Sequence, residues 1–136
     1  MKTFSIKTKG LTDAIDITEK VQDSLPKNKN GLVNVFVKGS TASISIIEGD
    51  PNLYEDLKEA LEVFSPYKKD WKHHQTWEND DNGASHLRAT MFGPSETVPF
   101  QDGKLLLGQW QRIVLIDFDT GPRTREVVIT QTQSEA

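Results

Sequence analysis

All three histidines of this chain lie in one polar stretch, residues 71–88, which has the sequence W-K-H-H-Q-T-W-E-N-D-D-N-G-A-S-H-L-R. His73 and His74 stand near its start, His86 stands near its end, and acidic side chains lie between them. Imidazole and carboxylate are the groups that most readily share a metal ion or move a proton near neutral pH. The stretch therefore predicts a metal site or a proton-transfer site, with His74 as the bystander. The alternative is a solvated acidic loop with surface histidines, because the spacing matches no strict ligand motif.

The candidate site combines two imidazoles with a carboxylate. His73 and His86 cannot meet on one helix, so a loop must fold back to bring them together. Asp81, Asp80 or Glu48 would then serve as an oxygen ligand or would orient an imidazole. Two imidazoles, one carboxylate and an open position suit Zn²⁺. The same groups without a metal suit general acid–base catalysis, and both interpretations stay open.

Hydroxyl groups at two bends are candidates for anion binding. Ser40 and Thr41 follow Gly39 between two predicted strands, where hydroxyls and free backbone N–H groups can hold an anion. Local hydrogen bonding within the turn is the commoner role of such residues. Ser95, after Gly93-Pro94, allows the same two interpretations.

Arg88 and Asn82 flank His86 and complete the set of candidate ligand-binding residues. Arg88 follows His86 by two positions, so the two side chains diverge if the segment is a helix. In an irregular turn both could face a phosphate. Asn82-Gly83 is a pair that tolerates positive φ, and it predicts a turn before His86.

Length and composition limit the classes of protein that this chain can be. The 136 residues predict one domain, residues 1–136, long enough to bury a core without disulfides. The chain has no cysteine, which excludes a thiolate metal site and is typical of a cytoplasmic protein. A net charge of −4 without a basic block argues against a nucleic-acid partner. No apolar run is long enough to span a membrane, so no membrane partner is expected.

Periodicity predicts an α+β domain with mostly antiparallel strands. Alternating or β-branched segments predict strands at residues 2–9, 32–37, 41–47, 96–100, 104–107, 112–118 and 125–132. We expect the segment 41–47 to pair with 32–37. Asp50-Pro51 predicts the start of an amphipathic helix that ends before Pro66. Asp16 and Glu19 form a capping-box pattern for a shorter helix, and residues 85–92 predict another.

Several motifs together resemble the YjbQ-like family. They are G-S-T-A-S-I-S-I-I-E at 39–48, H-x-x-x-W at 73–77, D-D-N-G-x-S-H-L-R-A at 80–89, G-P-S-x-T-V-P-F at 93–100, G-K-L-L-L-G-x-W-Q at 103–111 and G-P-R-x-R at 121–125. They occur in the order of the family and cover nearly the whole chain. The resemblance implies a three-layer β/β/α domain that assembles as a homotrimer, with polar pockets near the subunit interfaces.

The resemblance also implies a set of site residues. The ligand histidines of the family match His73 and His86, and its acidic positions match Glu48 and Asp81. Its pocket can hold phosphate, sulfate or a divalent metal such as zinc or magnesium. Many members carry a histidine where this chain has Gly39, which reduces a three-histidine site to two.

The family is associated with a secondary thiamine-phosphate synthase activity. The resemblance therefore implies a transferase that joins a pyrimidine pyrophosphate to a thiazole phosphate, giving thiamine phosphate and pyrophosphate. Two alternatives remain open. One is metal-assisted hydrolysis of a small phosphorylated substrate, and the other is a non-catalytic trimer that binds a small phosphorylated molecule or inorganic anion.

Overall fold

Eight strands and three α-helices make up the part of the chain that the computed structural model describes, residues 1–134. The strands are β1 (Lys2–Thr8), β2 (Asp13–Asp16), β3 (Gly31–Val37), β4 (Ala42–Glu48), β5 (Ser95–Gln101), β6 (Lys104–Leu105), β7 (Gln111–Asp117) and β8 (Arg123–Gln133). The helices are α1 (Thr18–Asp23), α2 (Pro51–Phe64) and α3 (Gly83–Phe92), and a 3₁₀ helix spans Lys72–Gln75. Each predicted strand is present, and no bound differs from the predicted one by more than two residues.

The strands form two antiparallel sheets. The larger has the order β1-β8-β3-β5-β6, and the smaller has the order β2-β7-β4. Inward-facing side chains of the larger sheet, such as Val33, Val35 and Val127, pack against Ile44 and Leu115 of the smaller sheet. The alternation seen in the sequence is therefore the alternation between this core and the outer face of the larger sheet.

A second core lies between the smaller sheet and the helices. Val114 and Ile116 point away from the first core and contact Leu61 and Leu57 of α2 and Ala89 of α3. The predicted three-layer β/β/α architecture is thereby confirmed. None of the helices in residues 1–134 is long and apolar enough to cross a membrane.

The predicted pairing of the third and fourth strands is wrong. β3 pairs with β5 and β8 in the larger sheet, whereas β4 pairs with β7 in the smaller one. The connection between them runs from one layer to the other instead of forming a hairpin. Gly39 permits this course because its φ is +123°, a value that side chains with a Cβ rarely adopt.

The two predicted helix starts have different outcomes. Asp50 caps α2 as expected, since its carboxylate accepts a hydrogen bond from the Asn52 N–H at 3.0 Å. The capping box predicted for α1 does not form. The Arg112 guanidinium binds both of its acidic members, Asp16 at 2.7 Å and Glu19 at 3.0 Å, and so draws Glu19 away from the helix start.

A buried ion pair joins the two sheets at the end nearest the histidine stretch. Arg125 of β8 donates from Nε to Asp117 Oδ2 at 2.7 Å and from Nη2 to Asp117 Oδ1 at 2.9 Å. Asp117 is fully buried, and it also accepts hydrogen bonds from the Thr8 hydroxyl and the Asp119 backbone N–H. A buried guanidinium needs this partner because an unpaired charge in the interior is costly.

Asp119 lies beside this pair and ionises more readily than an ordinary aspartate. Burial opposes its ionisation, but hydrogen bonds from the Thr120 backbone N–H and from Arg123 outweigh that effect, so the pKa of Asp119 is lowered. A lowered pKa means that its contribution to stability is present above the unfolded-state pKa and is lost as the pH falls through the folded-state value.

We expect Asp117→Asn to reduce the free energy of unfolding by about 3 kcal/mol, because it leaves the buried Arg125 charge without its counterion. Urea denaturation at pH 7 measures this loss. Glu126→Gln is the matched control, since it removes an exposed ion pair with Lys38 and should cost less than about 1 kcal/mol. Equal losses in the two variants would contradict this account of the pair.

Candidate functional site

The histidine stretch connects α2 to α3 and is partly helical. The 3₁₀ helix carries His73 and His74, and α3 begins at Gly83, so His86 lies in its first turn. The turn predicted at Asn82-Gly83 is wrong, because Asn82 precedes the helix with a φ of −112° and Gly83 is already helical. Tertiary contacts, described below, select the helical conformation at this glycine.

His73 and His86 come together, as the sequence analysis required. Their ring centroids lie 4.7 Å apart in an edge-to-face arrangement with an interplanar angle of 70°. His73 Nε2 lies 3.0 Å from Asp80 Oδ2. The side chain of His73 is 35% exposed and that of Asp80 is 17% exposed, so this pair is partly shielded from water yet open to a ligand. The arrangement is a carboxylate-oriented imidazole next to a second imidazole.

His74 has a defined role that the sequence analysis did not assign. Its Nε2 accepts a hydrogen bond from the backbone N–H of Gly83 at 3.0 Å. This hydrogen bond requires the imidazole tautomer that carries its proton on Nδ1. The bond ties the 3₁₀ helix to the start of α3 and thereby holds His73 beside His86.

A cavity of about 600 Å³ opens beside the two imidazoles. The walls are supplied by the loop after α2 and by the first turn of α3, namely Lys69, Asp70, Trp71, Lys72, His73, Gly83, His86 and Leu87. The Lys69 ammonium lies 4.2 Å from the centroid of the Trp71 ring, and Trp71 Nε1 donates to the Pro66 carbonyl oxygen at 3.0 Å. Two cations and two imidazoles therefore border a largely apolar cavity.

Of the three carboxylates predicted for the site, Asp80 contacts His73, whereas Asp81 and Glu48 do not. Asp81 Oδ1 accepts a hydrogen bond from the Thr120 hydroxyl at 3.0 Å, and its neighbour Asp80 is the one that contacts His73. Glu48 is exposed at the far end of β4, about 20 Å from the start of that strand at ~3.3 Å per residue. Neither side chain reaches the imidazoles in this conformation.

Arg88 points into the protein instead of into the cavity. It is 1% exposed, and its Nε and Nη2 donate to the Ser65 carbonyl oxygen at 3.0 and 2.7 Å. Its Nη1 donates to the Thr12 hydroxyl at 2.9 Å, and Nη2 also binds Glu62. His86 and Arg88 therefore point in different directions, as expected for residues two positions apart on a helix. Arg88 has no nitrogen left for a phosphate in the cavity.

The remaining predicted ligand-binding residues lie in two places. The Thr41 hydroxyl is buried between Asp119 and Arg125, whereas Ser40 is exposed and lines a small separate cleft. Ser95 follows Pro94, which also lines that cleft. Asn82 lies at the start of α3, where its Oδ1 is enclosed and accepts no hydrogen bond from residues 1–134.

The donors near His73 and His86 in residues 1–134 are too few for a closed metal site. Within the described part of the chain, no group of three or more histidine, aspartate or glutamate side chains is arranged to hold one. Asp80 already binds Nε2 of His73, and the chain has glycine at position 39. Zinc or magnesium at His73 and His86 therefore stays a prediction.

Comparison with known proteins assigns the chain to a family. A sequence model described as UPF0047 protein YjbQ-like matches residues 2–134. The chain belongs to the YjbQ/UPF0047 family. A UPF0047 protein of Archaeoglobus fulgidus is 42% identical to it over 126 residues, which cover 93% of this chain and 96% of the relative. The UPF0047 protein YugU of Bacillus subtilis is 33% identical over 132 residues, which cover 95% and 96% of the two chains.

Two solved structures share the fold described above. The hypothetical protein APE1520 from Aeropyrum pernix K1 matches with a TM-score of 0.86 at 34% identity, over 98% of this chain and 100% of that one. A family member from Clostridium acetobutylicum matches with a TM-score of 0.86 at 32% identity, over 97% and 100% of the two chains. The resemblance inferred from the motifs is thereby confirmed.

Gly83 provides a test of how the site is held together. A Cβ at this position would lie 2.7 Å from the Cβ of Trp71 and 3.1 Å from Nε2 of His74. Gly→Ala inside a helix normally stabilises by roughly 0.5–1 kcal/mol. We expect Gly83→Ala to destabilise the protein instead and to change the Trp71 fluorescence, because the new methyl group pushes the loop away from α3.

Gly121→Ala is the control for this substitution, since beyond its chain neighbours no atom lies within 4 Å of the Cβ position there. Thermal unfolding followed by tryptophan fluorescence compares the two variants. A Gly83→Ala protein as stable as the wild type would show that the loop does not depend on this close approach.

Proposed function

We propose that the cavity beside His73 and His86 binds a small phosphorylated ligand and catalyses an acid–base-assisted transfer reaction on it. The observation that carries the proposal is the contact between His73 Nε2 and Asp80 Oδ2 at 3.0 Å, next to the His86 ring. An imidazole held by a carboxylate and facing a cavity is the usual arrangement of a general acid or base.

The contact with Asp80 gives the two ring nitrogens of His73 different roles. The contact with Asp80 occupies Nε2 of His73, so Nδ1 is the nitrogen left to exchange a proton with a ligand. His86 has no carboxylate among its hydrogen-bond partners in residues 1–134. The two imidazoles are therefore inequivalent, and one can hold a proton while the other accepts one.

The charges around the cavity favour a negatively charged ligand. Lys69 and Lys72 lie on its wall. The first turn of α3 also faces it, and the N-terminal end of a helix carries a partial positive charge that favours anions. Asp70 is the opposing charge on the wall. The excess of positive charge on the wall favours an anionic, phosphorylated ligand over a cation.

The specific reaction that we propose is of the thiamine-phosphate synthase type. The carbon–oxygen bond between a pyrimidine methylene group and its pyrophosphate breaks, and the bonding electrons leave with pyrophosphate. The ring nitrogen of a thiazole phosphate forms the new carbon–nitrogen bond. Lys69 and Lys72 would neutralise charge on the leaving group, and a protonated His73 or His86 would donate a proton to its oxygen.

We expect His73→Ala, His86→Ala and Asp80→Asn each to lower kcat for thiamine phosphate formation by about 100-fold or more, the usual contribution of a positioned acid or base. Product formation from the two phosphorylated substrates measures this. Asp56→Asn, on the solvent side of α2, is the control and should retain full activity. Wild-type protein that forms no product above the His86→Ala background would rule out this reaction.

We also propose that the protein assembles with itself as a trimer. The outer face of the larger sheet supports this proposal because it carries Leu32, 50% exposed, and Phe36, 38% exposed, on β3, with Leu106 nearby at 53%. Exposed apolar side chains grouped on a sheet face are typical of protein–protein contacts.

Light scattering coupled to size-exclusion chromatography should give the mass of three chains for the wild type. Phe36→Glu should shift the mass toward that of one chain, because a carboxylate on an apolar interface is costly. Val63→Glu is the control, since Val63 is an exposed apolar residue on α2 rather than on the sheet. A monomeric wild-type protein would contradict the proposal.

A further inference from the structure

Asn82 and Gly83 form a dipeptide that is prone to deamidation when the backbone is free to move. The Gly83 backbone nitrogen attacks Cγ of the Asn82 side chain and a carbon–nitrogen bond forms. The amide nitrogen leaves as ammonia, which takes up the proton that the Gly83 nitrogen loses. Water then opens the succinimide ring to aspartate or isoaspartate. Glycine favours the attack because it has no side chain to hinder it.

The backbone conformation of Asn82 keeps the two reacting atoms apart. Cβ lies about 120° from the backbone nitrogen around the Cα–C bond, so the Gly83 nitrogen stands beside the side chain only when ψ is about −120°. The observed ψ of Asn82 is 27°, which is about 150° from that value. Ring closure therefore requires the peptide plane between the two residues to rotate.

Two hydrogen bonds oppose this rotation. The Gly83 N–H donates to His74 Nε2 at 3.0 Å, and the Asn82 carbonyl oxygen accepts from the His86 N–H at 3.2 Å. Both groups belong to the peptide plane that must turn, so rotation breaks both bonds. Gly83 is also buried under Trp71, whose Cβ would lie 2.7 Å from a Cβ at that position. These contacts add to the free energy of local opening.

The surroundings of the Asn82 amide also oppose the reaction. Attack by the Gly83 nitrogen places negative charge on Oδ1, and hydrogen-bond donors near that atom would stabilise it. Oδ1 is enclosed and accepts no hydrogen bond from residues 1–134. The native conformation therefore supplies neither the geometry nor the charge stabilisation that ring closure needs.

We propose that Asn82 is a latent deamidation site, which the hydrogen bond from Gly83 to His74 keeps closed. The reaction proceeds only from the open state in which this bond is broken, so its rate follows the population of that state. His74 thereby protects the covalent structure of the chain between the 3₁₀ helix and α3.

Deamidation would change the imidazole site in two ways. Either product carries a carboxylate in place of a neutral amide, one residue before Gly83 on the wall of the cavity. Isoaspartate also adds a methylene group to the main chain between the two helices, which displaces His86 from His73. A weaker affinity for a phosphorylated ligand follows if the proposed function holds, whereas the protection by His74 does not depend on that function.

A second dipeptide of the same type, Asn30-Gly31, serves as an internal reference. Asn30 lies at the start of β3, where its Oδ1 accepts a hydrogen bond from the Asp102 N–H at 2.9 Å. A change at His74 should leave the deamidation rate of Asn30 unaltered in the folded protein.

Peptide mass spectrometry of protein kept in mildly alkaline buffer measures both conversions, through the mass gained when an amide becomes a carboxyl group. In urea we expect Asn30 and Asn82 to convert at similar rates. In the folded wild type, Asn82 should convert more slowly by at least the protection factor that hydrogen exchange gives for the Gly83 amide. Conversion of Asn82 in the native protein as fast as in urea would overturn the proposal.

His74→Ala should raise the conversion rate of Asn82 relative to that of Asn30 by about fivefold, the effect of losing one hydrogen bond. His74→Gln is the matched variant and should keep the wild-type ratio, because a glutamine Oε1 can accept the same bond. A ratio that stays unchanged in His74→Ala would contradict the role of His74. If that variant does not fold, the wild-type comparison with hydrogen exchange decides the question. Neither measurement depends on turnover, so a negative result leaves the proposed function standing.

Discussion

The position of α3, and with it the candidate site, depends on the buried guanidinium of Arg88. Its nitrogens bind the Ser65 carbonyl oxygen at the end of α2, the Thr12 hydroxyl before β2, and the Glu62 carboxylate on α2. Its Cζ also lies 4.0 Å from the centroid of the Tyr67 ring. These contacts join two separate segments of the chain, residues 62–67 and Thr12, to one residue of α3. A planar group with donors in fixed directions can do this, whereas a lysine at the same position could not satisfy the same set of acceptors.

The two faces of α3 have different roles: one packs in the interior and the other borders the cavity. Ser85, Arg88 and Ala89 follow a helical spacing and are buried against the smaller sheet and the end of α2. His86 and Thr90 lie on another side of the helix, where the cavity and the small cleft open, and Ala89 also borders the cleft. Because the inner face is held by a buried charge network, the outer face is presented with little freedom of rotation. This rigidity is what a catalytic or binding constellation requires of its supporting element.

The sequence predicted the strands well because they depend on local periodicity, whereas the three layers were expected from the resemblance to the YjbQ-like family. It predicted less about pairing and about the site, because both depend on contacts between distant residues. β4 follows β3 closely in the chain but pairs with β7. Burial of apolar side chains between the two sheets places β3 and β4 in different layers. Gly83 was expected in a turn, yet the close approach of Trp71 makes glycine necessary within a helix. Asp80 and Asp81 are adjacent residues of the same type, so the sequence does not distinguish them. Only the path of the loop decides which carboxylate contacts His73.

Two buried arginines, Arg88 on α3 and Arg125 on β8, stabilise different parts of the fold. Every nitrogen of Arg88 binds a protein acceptor, so its role is to hold segments together. Arg125 binds Asp117 through Nε and Nη2, and its Nη1 lies so close to Gly39 that a Cβ there would be 2.5 Å away. Its role is to join the two sheets, because Arg125 belongs to β8 in the larger sheet and Asp117 to β7 in the smaller one. Glycine at position 39 is what lets a guanidinium of this size pack against the connection between β3 and β4.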